Sequence, residues 1–383
     1  MSTAPAAVED AAGEIAAALR DAPFVRVVAA ADGDALAASG VLVRALRQLG
    51  TPFQVRVEAV PDPIPGEGDD LVLGIGAGAT GGDRSLTGAD PASLVAAAAV
   101  RELGADVDPV LALAGVAAAD RPLDAGDAAT LLETARTETA VDRRPGLAIP
   151  TTDVSEGLAH STLVHAPVSG DGEAARAALD DLNVGPDPTD EDRRRVASWL
   201  AIEATASSAR AAEAVERVLR PHATPDGRFA TIEGFGDVLD AVARERPGTG
   251  VALAIRDGGL RAAALDAWRA HARGVHTALR EATTGRYDGV FVARTESAAP
   301  GRLGTVARLC RDFQSPEPVV LLVSDEGAAA ASVDDARLGD AMREAIRSAD
   351  VEGRSAGNGT RATAQFDTAV EVSRFVTAFR EAL

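Results

Sequence analysis

The chain has 383 residues, a formal charge of −20 and no lysine, so its 38 basic residues are all arginine. A lone cysteine, Cys310, excludes a disulfide scaffold and a multi-cysteine metal site. No apolar run approaches the ~18 residues of a membrane span and no basic-then-apolar leader opens the chain, so a cytoplasmic protein without a membrane partner is expected. At ~100–200 residues per domain, the length predicts two domains, and 46% hydrophobic residues excludes a disordered chain.

The first half alternates strand and helix signals. Phe24–Ala30 reads as a buried strand and Asp34–Leu49 as a helix, with Leu36, Val41, Leu42, Leu46 and Leu49 on one face and Gly50 to stop it. Phe53–Val60 is a second strand, Pro61, Pro63 and Pro65 a break, and Leu71–Leu73 a short strand running into Gly74-Ile75-Gly76-Ala77-Gly78. Pro91–Leu103, Pro109–Ala119 and Asp127–Thr139 read as helices. This order predicts an open parallel sheet with helices on both faces.

Gly146–Pro167 reads as irregular, and Thr189–Leu219 as one long helix joining two domains. Beyond it, strands are expected at Phe229–Ile232, Val251–Ile255, Gly289–Ala293, Pro318–Val323 and Arg361–Phe366. Helices are expected at Phe235–Arg244, Leu260–Arg280, Leu303–Phe313 and Val370–Leu383. The fold class is therefore α/β: a domain over 1–185, a connecting helix over 186–221 and a second α/β domain over 222–383.

Acid excess is spread along the whole chain, and lysine is lost while arginine is kept. That pattern points to a cytoplasm at molar salt, with high-GC codon usage as a second cause. At ~1 M salt the Debye length is ~3 Å, so the negative charge does not exclude a nucleic-acid ligand.

The sharpest local feature is Asp32-Gly33-Asp34, at the carboxyl end of the first strand and ahead of a helix. Ligands of open α/β sheets bind at that edge. Two carboxylates there suit a hard divalent cation, and they equally suit a helix N-cap. Strand, Asp-Gly-Asp-Ala-Leu-Ala-Ala-Ser-Gly, helix and strand together resemble the first motif of the DHH phosphoesterase superfamily, which includes RecJ exonucleases. Arg144–Pro150 and Glu156–Ser161 are similar to RecJ-type stretches from archaea. The resemblance covers nearly the whole chain and implies a DHH-like domain, a connecting helix and a DHHA1-like domain, with chemistry run by paired Mn²⁺ or Mg²⁺ ions.

The later motifs depart from the family. The second, a strand ending in Asp, is met by Leu71–Leu73 and glycines. The Asp-His-His motif is missing, because no histidine precedes His160. Asp120, after the small-residue helix, matches the fourth. Asp32, Asp34 and Asp120 are thus vestigial metal-site candidates, too few for a close metal pair, and no catalytic residue is assigned. In the DHHA1-like part, Asn358-Gly359-Thr360-Arg361 stands where the family carries Gly-Gly-His, leaving Gly359, Thr360 and Arg361 as candidates for a phosphate. Arg193 and Arg194 either balance Asp190–Asp192 or meet single-stranded DNA.

Other chemistry-bearing residues read more simply. His160 and His165 are substitute ligands or loop residues, and His271 and His276 read as surface residues. Gly74–Gly78 lacks the lysine of a P-loop, the serines lack a nucleophile elbow, and Cys310 reads as a small buried residue. The resemblance implies a catalytically degenerate RecJ-like protein of DNA replication or repair. Such a protein would handle single-stranded DNA beside the GINS complex and the MCM helicase. The alternative it implies is an active Mn²⁺- or Mg²⁺-dependent single-strand exonuclease or small-oligonucleotide phosphoesterase.

Overall fold

The computed structural model describes residues 4–62, 68–88, 90–139, 141–205, 209–256, 259–296, 298–368 and 370–383. In chain order, α1 (Ala4–Asp21), β1 (Val25–Ala30), α2 (Gly33–Leu49), β2 (Phe53–Glu58), β3 (Leu71–Ile75) and β4 (Arg84–Leu86) come first. They are followed by α3 (Ala92–Glu102), α4 (Pro109–Ala118), α5 (Gly126–Glu138) and β5 (Asp142–Arg143). The middle holds α6 (Val154–His160), α7 (Gly172–Asp181), α8 (Asp190–Thr205), α9 (Ala209–Val218), β6 (His222–Ala223), α10 (Ile232–Glu245), α11 (Pro247–Ile255) and α12 (Arg261–Glu281). The last part is β7 (Thr283–Tyr287), β8 (Val290–Arg294), α13 (Leu303–Phe313), β9 (Val319–Ser324), β10 (Gly327–Ser332), α14 (Leu338–Ser348), β11 (Gly353–Gly357), β12 (Arg361–Phe366) and α15 (Val372–Ala382). Pro63 and Pro65 of the expected proline break lie outside the described residues.

Two compact units result. The first comprises residues 1–144, 148–152 and 221–268. Its sheet runs β2-β1-β3-β4 with all pairings parallel, as expected from the alternating elements. Central β1 is almost wholly buried, which explains its run of Val and Ala without polar alternation. α2 is capped by Asp32 and stopped by left-handed Gly50, and its buried stripe runs from Ala35 to Leu46.

Residues 221–268 belong to this unit, although the sequence pattern placed them in a second domain. The reason is close helix packing. A side chain on Gly40 of α2 would meet the Cβ of Ala254 in α11 at 2.7 Å, and one on Gly236 of α10 would meet the carbonyl of Ala114 in α4 at 2.6 Å. Phe229–Ile232 and Val251–Ile255, expected as strands, instead lead into α10 and form most of α11. Thr231 starts α10 by accepting the Gly234 N–H at 3.0 Å, and it donates to Ile149 O at 2.9 Å. Pro247 opens α11 at its first position.

The second unit comprises residues 145–147, 153–220 and 269–383. Its six-stranded sheet runs β11-β12-β10-β9-β8-β7, antiparallel except for the parallel β8–β9 pair. β10, Gly-Ala-Ala-Ala-Ala-Ser, is fully buried between β12 and β9. The expected single helix over Thr189–Leu219 appears as α8 and α9, on either side of residues 206–208, which lie outside those described. α9 is grouped with the second unit rather than standing apart as a connector. Arg210 reaches Glu317 O at 2.6 Å, Arg217 pairs with Asp312 at 3.3 Å, and Ala211, Ala214 and Val215 are buried.

Candidate functional site: a carboxylate turn built into helix caps

The Asp32-Gly33-Asp34 turn stands at the carboxyl edge of β1, where the strand-to-helix signal places it. The first helical amides of α2 need acceptors, and Asp32 Oδ1 takes the Ala35 N–H at 2.8 Å. Asp34 serves a different helix. Its two oxygens accept the Ala92 and Ser93 N–H groups of α3 at 2.7 and 3.0 Å. Burial, and then the neighbouring Asp32 carboxylate, push the Asp34 carboxyl up to about 6. Gly33 N–H donates to Asp240 Oδ1 at 3.1 Å, and Asp240 is held by Arg244 through two bonds of 3.1 and 2.9 Å. The acid and its compensating cation therefore come from α10, an i,i+4 pair that nothing in the sequence singled out.

The exit of β3 shows why a second carboxylate is absent. Gly76 has φ +86°, and a Cβ on it would lie 2.9 Å from the Cβ atoms of Ala30 and Ala35 and 3.4 Å from Asp32 Oδ2. No side chain fits there. Gly74 is pressed on the Ala79 carbonyl, where a Cβ would come within 2.0 Å. The glycine run thus allows close chain packing at the turn.

Asp120 ends α4 in the left-handed region, at φ 58°. Ala118, two residues before it, abuts Gly33, where an added Cβ would come within 2.7 Å. This brings the end of α4 to the turn. Among the described residues, however, no group of three or more His, Cys, Asp or Glu side chains is arranged to hold a metal ion. Asp32, Asp34 and Asp120 are not gathered into one. The Mn²⁺ or Mg²⁺ pair implied by the family resemblance does not fit this donor set, because among the described residues no third His, Cys, Asp or Glu joins these carboxylates, and a close pair of ions needs several such ligands.

The C-terminal candidates show the same economy. Asn358, Gly359 and Thr360 form the tight β11–β12 turn, where Asn358 Oδ1 accepts the Thr360 and Arg361 N–H groups at 3.0 Å. Gly359 O accepts the Ala336 and Leu338 N–H groups, and Asn358 O accepts that of Gly339. The amides opening α14 are thereby satisfied within the chain. A Cβ on Gly359 would strike the Asp335 carboxylate at 2.3 Å, so an acid faces this glycine. Arg193 packs its methylenes toward Gly146, and Arg194 lies 3.4 Å from Glu191.

His271 and His276 are buried, not surface residues. His271 Nε2 bonds Thr305 Oγ1 at 3.0 Å, and His276 Nε2 bonds Ser161 O at 3.0 Å. His165 stacks on His276 with its Nδ1 3.1 Å from that of His276. Burial lowers both, to about 4 for His165 and about 3 for His276. His160 lies against Glu156 O at 3.1 Å. His222, also buried, donates through Nδ1 to Glu233 at 2.8 Å. Burial pushes the Cys310 thiol up to about 12, as expected of an inert core cysteine. In the first unit, a cleft of about 410 Å³ is lined by Asp108, Phe229 and Phe235 among others. Asp108 caps the start of α4, so this cleft lies ~15 Å along the helix from its Asp120 end. No described helix is long and apolar enough to cross a membrane.

With this geometry in view, comparisons place the chain. It is similar to the crystal structure of CDC45 from Entamoeba histolytica, with a TM-score of 0.62 and 8% identity, covering 98% of each chain. RecJ from Thermus thermophilus in complex with Mg²⁺ aligns at TM-score 0.47 and 20% identity, over 98% of this chain and 52% of RecJ, so the chain spans about half of that protein. The likeness to CDC45, at 8% identity, is one of fold: an α/β chain of two units. The family described as "Uncharacterized protein rrnAC1427, C-terminal domain" matches residues 282–381. The whole rrnAC1427 protein of Haloarcula marismortui is 47% identical over 375 residues, covering 97% of this chain and 96% of that one; the chain belongs to the rrnAC1427 family.

Proposed function

We propose that this protein is a non-hydrolysing RecJ-like subunit that handles single-stranded DNA in a salt-rich cytoplasm and docks on replisome proteins of the GINS and MCM kind. The observation that carries the reading is the use of the carboxylate turn. Two-metal hydrolysis needs several oxygen and imidazole ligands around ions ~3.5–4 Å apart. Here both oxygens of Asp34 cap α3, and Gly76 leaves no room for a further acid. Such a turn joins helices and does not generate a hydroxide. What remains is binding: the fold presents surfaces, and the two units act through ligand and partner contacts.

The test is Mn²⁺- and Mg²⁺-dependent hydrolysis of single-stranded DNA and short oligonucleotides in molar KCl, with GINS and MCM pull-downs at the same salt. The expected result is no turnover and salt-stable capture of the partners. Turnover abolished by Asp32→Ala would overturn the reading in favour of an active exonuclease or oligonucleotide phosphoesterase.

A further inference from the structure

We infer that the loop 160–170, together with α13 and the part of α12 from residue 269 onward, all in the second unit, forms a contact surface for the phosphodiester backbone of single-stranded nucleic acid. This inference rests on the DNA-handling role proposed above. The loop, His-Ser-Thr-Leu-Val-His-Ala-Pro-Val-Ser-Gly, contains no acid, in a chain of −20 charge. Arginines approach it from two helices. Arg280 of α12 donates to Ser169 O at 2.6 Å, and Arg308 of α13 donates to Thr162 O at 2.9 Å. Arg273, exposed on α12, lies seven residues before Arg280, which is ~10 Å along the helix.

Backbone carbonyls orient these guanidinium groups without neutralising them. Each guanidinium has five N–H donors, so Arg280 and Arg308 keep most of theirs. Of the nearby acids, Glu156 pairs with Arg269, while Asp171 accepts the Glu173 and Ala174 N–H groups that open α7 and also attracts Arg280. The loop beneath is rigidly held. His276 must donate Nε2–H to Ser161 O, which leaves its Nδ1 to accept from His165 Nδ1–H. Burial holds both rings well below the ordinary imidazole value, so the charge of the surface is carried by arginine. Planar, permanently charged guanidinium is the group suited to phosphate oxygens, and a row of such charges spaced over ~10 Å suits a polyanion better than one free phosphate.

The test is fluorescence anisotropy of a labelled 20-mer of deoxythymidine, titrated with the full chain from 0.5 to 3 M KCl. Arg273→Ala is compared with Arg273→Ala/Arg280→Ala and with the Lys versions of both. Thermal unfolding of each variant checks the fold. Each lost phosphate contact should reduce the slope of log K against log[salt] by ~0.7, so the double Ala variant should lose ~1.4 and the Lys versions almost nothing. Ten millimolar inorganic phosphate should not compete. If the wild type binds and folded Ala variants keep its slope, the surface is overturned and the DNA-handling role stands. If the wild type binds no oligonucleotide, both fall. Full competition by inorganic phosphate would overturn the polyanion surface in favour of a single-anion pocket.

Discussion

The Asp34 carboxyl gives a stability signature that can be worked from the structure. Its value of about 6, against an ordinary 3.8, arises because burial and Asp32 disfavour the charged form more than the two α3 amides favour it. A carboxyl raised in the folded state contributes stability that is complete below pH ~4 and is lost as pH rises through ~6. Each factor of ten in acidity is worth ~1.4 kcal/mol, so the loss by pH 7 is at most about 3 kcal/mol, less what solvent at the turn screens. Asp34→Asn cannot ionise, but it leaves one α3 amide without an acceptor, a pH-independent cost of ~1 kcal/mol. Urea unfolding of both proteins in molar KCl, from pH 4 to 7.5, measures the difference. The variant should gain on the wild type by ~1–3 kcal/mol across that range, and millimolar Mn²⁺ should leave the wild-type curve in place. Parallel curves would refute the burial argument. Restoration of wild-type stability at pH 7 by Mn²⁺ would refute the use of the turn as a pair of helix caps.

Three further outcomes follow from packing and titration. Gly40→Ala should destabilise by ~1–3 kcal/mol in chemical unfolding, because its Cβ meets Ala254 at 2.7 Å and Leu111 at 3.0 Å in a filled core. Trp268→Phe should cost ~1–3 kcal/mol, since the buried Asp237 loses the indole N–H that reaches it at 2.7 Å. His165 and His276 titrate in the opposite sense to Asp34. Their folded values of about 4 and about 3 lie below the ordinary 6.5, so the stability they contribute is present above pH ~6.5 and lost as pH falls toward 4. His276→Gln should flatten that acid limb, read as the difference from wild type in urea unfolding between pH 4 and 7.

Legibility followed the strength of local signals. β1, α2 and β2 were readable because a strand of Val and Ala, a capped helix and a stopping glycine agree at every level. β10 was not: alanine has low strand propensity, and its burial comes from neighbours far along the chain. The segment 229–255 misled because Phe229, Ile232 and Val251–Ile255 look like strands. Their helices are set by Thr231, by Pro247 and by glycines whose contacts lie in α2 and α4. At the site, the cap role of Asp32 was one of two readings on offer. That of Asp34 was hidden, because its amide partners lie 58 and 59 residues away.

The two places where the family resemblance expects ligands have been altered by the same physics. A helix N-terminus offers unpaired amides and a positive dipole end, which is what a phosphate or a carboxylate seeks. At α2 and α3 those amides are satisfied by Asp32 and Asp34, and at α14 by the carbonyls of Asn358 and Gly359. Each acceptor belongs to the chain, so nothing external is needed to complete the helix ends. The arginines beside the loop 160–170 differ in kind: Arg280 and Arg308 donate to backbone carbonyls of the loop. The proposed reading rests on this contrast: the carboxylates of the turn serve as caps, while the arginines beside the loop 160–170 are bound through carbonyl oxygens.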